Sequence, residues 1–427
     1  MHLTPLFSET DELEKIITVV TDITEEKKRD IEFQKLSLIA QHTQNPILIT
    51  DANYKINWIN QSFSNQLNYS LEELEGKEPG DLLFRDSVSS KHYPEFVQQI
   101  ESGKMAKGDF IVYTREGNTI WMNVTVDPIP NSKGEITQFI CLMQNIQEIK
   151  EAQAIIETKN KDITDSISYA QRIQDALLPN LRLVKQNLPK HFVFYRPKDI
   201  ISGDFYFIEM YHHRVFIGIA DCTGHGVPGA MMTSIGAAAL NNAILDRKLT
   251  DPGKILTHVD GYLKASLSTS KESLNDGMDI GLISLNIATQ EVEYCGAKRP
   301  LIIVRNDKTI KVVPGIKRSI GQFIMGEEFR FKTVSIPLED TMNIYCFSDG
   351  LPDQFGGPNT KKIYQKNLTD FLALNAELSM KEQKQKLENF IDEWKGNLQQ
   401  TDDMVLFGAK LTKSYFEKLK SVTSVEE

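Results

Sequence analysis

Cysteine is scarce in this chain: Cys141, Cys222, Cys295 and Cys346 are the only four in 427 residues. None forms a CxxC pair, which argues against a cysteine-built zinc site and against a disulfide framework. Each stands in an apolar or strand-like stretch, where a buried free thiol is the default. That usage suits a reducing cytosol, so a cytoplasmic location is expected. Positive charge is short as well. Lysine and arginine number 48 against 58 acids, for a net charge of −10. With no basic tract and no basic–aromatic stripe, a nucleic-acid partner is not expected. No apolar run is long enough to span a bilayer, and the first residues lack a signal-peptide pattern. What remains is ordinary globular composition, 41% hydrophobic and 25% charged, in a length that suggests two or three domains.

An internal repeat is present. Residues 5–27 and 128–150 align without gaps, at an offset of 128 − 5 = 123. Both stretches read as a turn, a strand (16–20 and 139–143) and a charged helix. A period of that size means two copies of a domain-sized unit rather than a solenoid. Residues 1–35 are therefore expected to be the C-terminal remnant of a preceding unit plus a linker helix. Only a last, orphan strand of that unit is expected, with further sequence upstream or a partner chain to cover its edge.

Residues 36–148 read as an α+β sensor domain with an antiparallel sheet and helices on one face. Strands 47–50 and 55–59 flank the Asp51-Ala-Asn53 turn. Short helices follow at 61–67 and 70–74, where Ser70 and Glu73 form a capping box, and near 94–102. Strands 108–114, 119–127 and 135–144 close the unit, the first two joined at Glu116-Gly117-Asn118. This order, with PILITDANYKINWINQSFSNQLNYSLEELEGK (46–77) and GEITQFICLMQNIQEIKE (134–151), resembles a PAS domain. The resemblance implies sensing of a ligand, cofactor or partner and leaves that ligand unknown. The Asn-Cys-Arg-Phe motif of flavin light sensors is absent. His42 and His92 are conceivable haem ligands, but read first as solvent-facing or core histidines.

Residues 149–180 carry Ile149, Ile156, Ile163, Ala170 and Leu177 at a spacing of seven, with Ala152 and Ile173 in the companion position and Lys159 and Ser166 breaking it. Two structures are compatible with this imperfect heptad. One is an amphipathic helix on its own domain. The other, preferred, is a parallel coiled coil that joins two copies into a homodimer.

Four acidic stations follow, each at the end of a strand-like run: Ser202-Gly-Asp204, Ala220-Asp221-Cys222-Thr-Gly-His225-Gly, Phe347-Ser-Asp349-Gly and Thr401-Asp402-Asp403. Singly, such sequences are common turns. Together they offer oxygen ligands to a hard cation such as Mg²⁺ or Mn²⁺ rather than zinc. Pro228 is expected to open a small-residue helix over 229–245. Strands outnumber helices after it, which argues for two packed antiparallel sheets with helices outside.

SGDFYF, ADCTGHGVPGA, DGMDI, YCGAKRPL, FSDGLPDQFGG and TDDMVLFG, spread over 190–412, closely resemble the SpoIIE/RsbU-type branch of the PPM (PP2C-like) serine/threonine phosphatases. SISYAQRIQDALLP (166–179) resembles the linker ahead of such domains. The resemblance implies an αββα sandwich at 190–412, followed by a tail over 413–427. It also implies two divalent cations held by Asp204, Asp221 (as the bridge), the Cys222 carbonyl, Asp349 and Asp402, with Asp403 the lesser ligand of its pair. A water activated between the two cations would attack phosphorus in line. His225 is a candidate general acid, although eukaryotic relatives place their histidine closer to the aspartate, as Asp-Gly-His-Gly. Lys198 and Arg196 are candidates to hold the substrate phosphate. The implied substrate is a phosphoserine or phosphothreonine on a partner protein, typically a STAS-type anti-sigma antagonist. A non-catalytic scaffold, a pseudophosphatase that binds regulatory partners, is the alternative.

Overall fold

Alternation along the strands builds the catalytic half of the chain. In the strand Arg214–Cys222, Val215, Ile217 and Ile219 enter one buried cluster while Phe216 and Ala220 enter another. In Thr341–Phe347, Met342, Ile344 and Cys346 join that first cluster, and Tyr345 and Phe347 face a third. Side chains that alternate at a period of two, buried on both faces, require cover on both sides. The first cluster is the layer between two sheets, and helices cover the outer faces.

The computed structural model describes residues 2–7, 13–19, 22, 24–85, 92–179, 184, 188, 190–267, 276–322 and 329–417. The chain divides into two units, Met1–Asn160 and Lys161–Glu427. In the second unit, one antiparallel sheet runs Val334–Ile336, Glu291–Ala297, Met278–Asn286, Arg214–Cys222, Asp204–Tyr211. The other runs Ile310–Val313, Leu301–Arg305, Thr341–Phe347, Met404–Thr412, His191–Arg196. Helices Gly226–Asn241 and Pro252–Leu267 pack on the first, and Tyr364–Leu374 and Met380–Lys395 on the second. This is the expected αββα sandwich.

The helix after the Asp221 loop begins at Gly226, earlier than position 229, with His225 as its N-cap. Gly224 and Gly226 take φ values of +85° and +66°, a backbone region that glycine enters without a Cβ penalty. The chain therefore turns into the helix before Pro228, which sits in the first turn where its missing N–H costs nothing. The α-helix stops at Asn241 and runs on as one π-turn, Asn242–Asp246.

The first unit carries an antiparallel sheet ordered Ile56–Ile59, Ile47–Asp51, Ile136–Asn145, Thr119–Pro130, Ala106–Tyr113, with short helices between. A short helix at Pro79–Leu83 was not anticipated. This unit has a partly open cavity of about 250 Å³ lined by, among others, Tyr54, Tyr93, Phe96, Phe139 and Cys141. His42 and His92 are exposed and line no part of it.

The orphan strand is a hairpin. Leu13–Val19 pairs antiparallel with His2–Phe7. Residues 8–12, between the two strands, lie outside the described residues. His2 faces Val19 and Phe7 faces Leu13, with a register break between Leu6 and Phe7. At the repeat offset, Thr125 faces Leu142 and Pro130 faces Ile136, with the break between Ile129 and Pro130. The repeat thus reproduces pairing and bulge as well as sequence. Pro5 obscured the first strand, because proline is tolerated in a strand mainly at an edge or a bulge. Helix Thr24–His42 follows the first hairpin and Gln147–Leu177 the second, starting at equivalent residues. Ile149, Ile156, Ile163, Ile173 and Leu177 are all exposed on the longer helix. Most of the tail, 418–427, lies outside the described residues.

Candidate metal centre

Strand register brings three acids into one row. Asp204 stands opposite Asp221, and Asp221 opposite Asp279, across the three neighbouring strands that contain them. Directly paired residues present their side chains to one face. Asp221 shares parity with Ile217 and Ile219, so that face looks between the sheets. From the opposite sheet, Asp349 follows Thr341–Phe347 as N-cap of the Gly350–Asp353 turn, and Asp402 and Asp403 precede Met404–Thr412. The glycine after Asp349 is required by packing: a Cβ on Gly350 would stand 1.9 Å from the Asp403 carbonyl oxygen.

The loop before Asp204 is held on every side. Asp403, buried, accepts from the N–H groups of Lys198 and Gly203, each at 2.7 Å, so both its oxygens are committed to the main chain. Gln174, on the last turns of the long helix, donates to the Ser202 carbonyl at 2.6 Å and accepts from the Ser202 N–H at 3.0 Å. The Thr233 hydroxyl lies 3.2 Å from the carbonyl oxygens of Ser202 and Gly203. A Cβ on Gly203 would meet the Gly224 carbonyl oxygen at 2.4 Å. Asp204 is thereby fixed with 3% of its surface exposed, and its Oδ2 is buried without a hydrogen-bond partner.

Electrostatics follows from that crowding. Burial, and then the charge of Asp221, hold the Asp204 carboxyl well above the usual carboxylate range. Burial pushes Asp221 up to about 8. Arg299 pulls against that shift, and Asp349 and Asp279 add to it. For Asp349, burial is outweighed by the Arg299 charge and by hydrogen bonds from Asp221 and Arg299, which hold it below its ordinary value. Asp402 is raised, mainly by burial. One nitrogen, Arg299 Nη2, donates to Asp221 and Asp349 at 2.7 Å each and to Asp279 at 3.3 Å. Ser319 Oγ donates to the other oxygen of Asp279 at 2.5 Å, and Lys298 Nζ lies 3.5 Å from Asp279.

These donors suit a hard divalent cation. They are oxygens only, and they include a buried carboxylate oxygen with nothing to accept from. Among the described residues no three His, Cys, Asp or Glu side chains close into a finished metal cage. Arg299 places a positive charge between Asp221 and Asp349.

The remaining expected residues are dispersed. Cys222 buries its thiol, which burial pushes well above its ordinary value, and its N–H donates to the Gly203 carbonyl at 3.2 Å. His225 is exposed, with Nδ1 3.1 Å from Asp199 Oδ2. Arg196 pairs with Asp392 on the Met380–Lys395 helix at 2.6 Å and lies over the Phe194 ring, so its guanidinium is engaged away from the acids. The Lys198 charge lies close enough to Asp402 to favour its ionised form. Sequence reasoning gave no role to Asp279, Arg299, Gln174 or Asp199. The first two lie inside the quoted motifs DGMDI and YCGAKRPL, and Gln174 inside the linker motif.

Residues 211–412 match the family described as stage II sporulation protein E (SpoIIE), and residues 34–146 match the PAS fold. The chain is 30% identical to the SiaA-PP2C domain of Pseudomonas aeruginosa, at a TM-score of 0.53, covering 59% of this chain and 97% of that domain. It is 25% identical over 165 residues to the phosphoserine phosphatase RsbP of Bacillus subtilis, covering 38% of this chain and 39% of that protein. It is 19% identical over 139 residues to the oxygen sensor protein DosP of Escherichia coli, covering 33% of this chain and 17% of that protein. The chain thus spans less than half the length of these two curated relatives.

Proposed function

The chain belongs to the SpoIIE-type branch of the PP2C phosphatases, and from that premise we propose that it is a metal-dependent protein-serine/threonine phosphatase regulated by its PAS domain. The observation that carries the reading is the register-aligned row Asp204–Asp221–Asp279 facing Asp349 and Asp402, with Asp204 Oδ2 buried and unpartnered.

Asp204, Asp221, Asp349 and Asp402, with the Cys222 carbonyl, would hold two divalent cations, Mn²⁺ or Mg²⁺. Bound there, such cations acidify water and neutralise phosphoryl charge. Asp403 holds the Lys198–Gly203 loop so that Asp204 keeps its place. Lys198, whose charge acts on Asp402, would attract a phosphate oxygen. His225, oriented through Nδ1 by Asp199, is the candidate to protonate the departing alkoxide through its other ring nitrogen. Cys222 needs only its main chain.

The substrate is read as phosphoserine or phosphothreonine on a partner protein, with a STAS-type anti-sigma antagonist as the family-based choice. The relative RsbP is itself a phosphoserine phosphatase. The exposed isoleucine row of Gln147–Leu177 supports a homodimer formed through that helix. Among the described residues no helix is long and apolar enough to cross a membrane, and a cytoplasmic site of action is part of the same reading.

The test is phosphate release from p-nitrophenyl phosphate and from a phosphoserine peptide, with Mn²⁺ and with EDTA. Turnover that requires Mn²⁺ supports the enzyme. No metal-dependent turnover on either substrate leaves the scaffold reading in its place.

A further inference from the structure

Arg299 is buried, and its Nη2 is shared among Asp221, Asp279 and Asp349. Its Nε is buried without a partner. A guanidinium so shielded from water needs acidic groups beside it, and these three supply them. Two of the three, Asp221 and Asp349, come from opposite sheets and are the acids read above as metal ligands. The third, Asp279, has partners of its own in Ser319 and Lys298. A divalent cation takes carboxylate oxygens at about 2.0–2.6 Å, so one bound by Asp221 and Asp349 would stand close to a guanidinium nitrogen 2.7 Å from an oxygen of each, and the two positive charges repel.

We propose that Arg299 is an internal counter-cation that competes with the divalent metal for Asp221 and Asp349, with Asp279 as the anchor that keeps the guanidinium beside the site. The inference rests on the reading of Asp221 and Asp349 as metal ligands. It deepens that reading by naming what sets the metal affinity. The protein carries its own positive charge at the point where the acids of the two sheets converge. Metal loading would weaken the Nη2 contacts with Asp221 and Asp349, while Asp279 would keep its hold on the guanidinium. Affinity is thereby held below what the same acids would give without the arginine.

The experiment is calorimetric titration of the full chain with Mn²⁺, for wild type, Arg299→Gln, Arg299→Lys and Asp221→Asn, together with melting in EDTA and in Mn²⁺. Arg299→Gln is expected to bind Mn²⁺ about tenfold tighter or more, since it removes the competing charge. Its melting temperature is expected to fall in EDTA and recover in Mn²⁺, whereas a purely structural role lowers it in both. Arg299→Lys, shorter and unable to span three carboxylates, is expected to give intermediate tightening, and it carries the test if Arg299→Gln does not fold in EDTA. Equal or weaker Mn²⁺ binding by the Arg299 variants, with binding abolished in Asp221→Asn, overturns the inference and leaves the metal reading standing. Binding that Asp221→Asn leaves intact overturns the metal reading and the inference with it.

Discussion

Gln174 and Ser202 hold each other through two hydrogen bonds, the carboxamide of one closing on the N–H and carbonyl of the other at 3.0 and 2.6 Å. Both residues are buried. The helix that leaves the PAS domain thus ends, within the catalytic unit, on the residue two before Asp204.

Gln174→Ala removes both bonds and strands the Ser202 N–H. The expected cost is about 1–3 kcal/mol of stability. Because the freed loop carries Asp204, the Mn²⁺ concentration for half-maximal activity should rise about tenfold. Titrating activity against Mn²⁺ at a temperature where the variant remains folded checks this. An unchanged metal requirement would show that the contact is structural only.

Asp204→Asn separates stability from function. The wild-type carboxyl is buried beside Asp221 with Oδ2 unpartnered and holds its proton well above the usual range, so only at alkaline pH, where it is forced to ionise, does asparagine relieve a desolvation penalty of about 1–3 kcal/mol. Melting in EDTA at alkaline pH should rise while phosphatase activity disappears. A variant that is less stable in EDTA than wild type at that pH would contradict the electrostatic picture.

Metal binding should depend on pH with a defined sign. The Asp221 carboxyl, held near 8 by burial and its acidic neighbours against the pull of Arg299, keeps its proton below that pH, and a cation must displace it. Affinity should therefore tighten as pH rises from 6 to 8, by up to about tenfold per unit, and level off above. Calorimetry in two buffers of different ionisation enthalpy would show proton release on the acidic side. Binding that weakens as pH rises would overturn the assignment.

Ile156 and Ile163, both exposed on one stripe of Gln147–Leu177, are the natural seam of a dimer. The double variant Ile156→Asp, Ile163→Asp should be monomeric by light scattering while wild type is dimeric. Equal masses would remove the coiled coil from the account.

Much of this was legible in the sequence. The strand-end acids, the two-sheet sandwich and the PAS order all follow from periodicity and from resemblance. What was not legible depends on register or on long-range contact. Asp279 meets Asp221 only because the strands Arg214–Cys222 and Met278–Asn286, separated in the chain by two helices, pair antiparallel in this register, and nothing local to either strand states that pairing. Arg299 lies 20 residues from Asp279 and 78 from Asp221, so its role appears only when the two sheets close. The helix start at Gly226 was missed because Pro228 outweighed two left-handed glycines. The first hairpin was missed because Pro5 reads as a turn.

The central claim is that Asp221 and its neighbours bind the metal that drives dephosphorylation. The most direct measurement is phosphate release from a phosphoserine protein by wild type and by Asp221→Asn at saturating Mn²⁺. The account predicts metal-dependent turnover for wild type and a loss of at least a thousandfold for the variant, which should remain folded. Turnover retained by Asp221→Asn would contradict it.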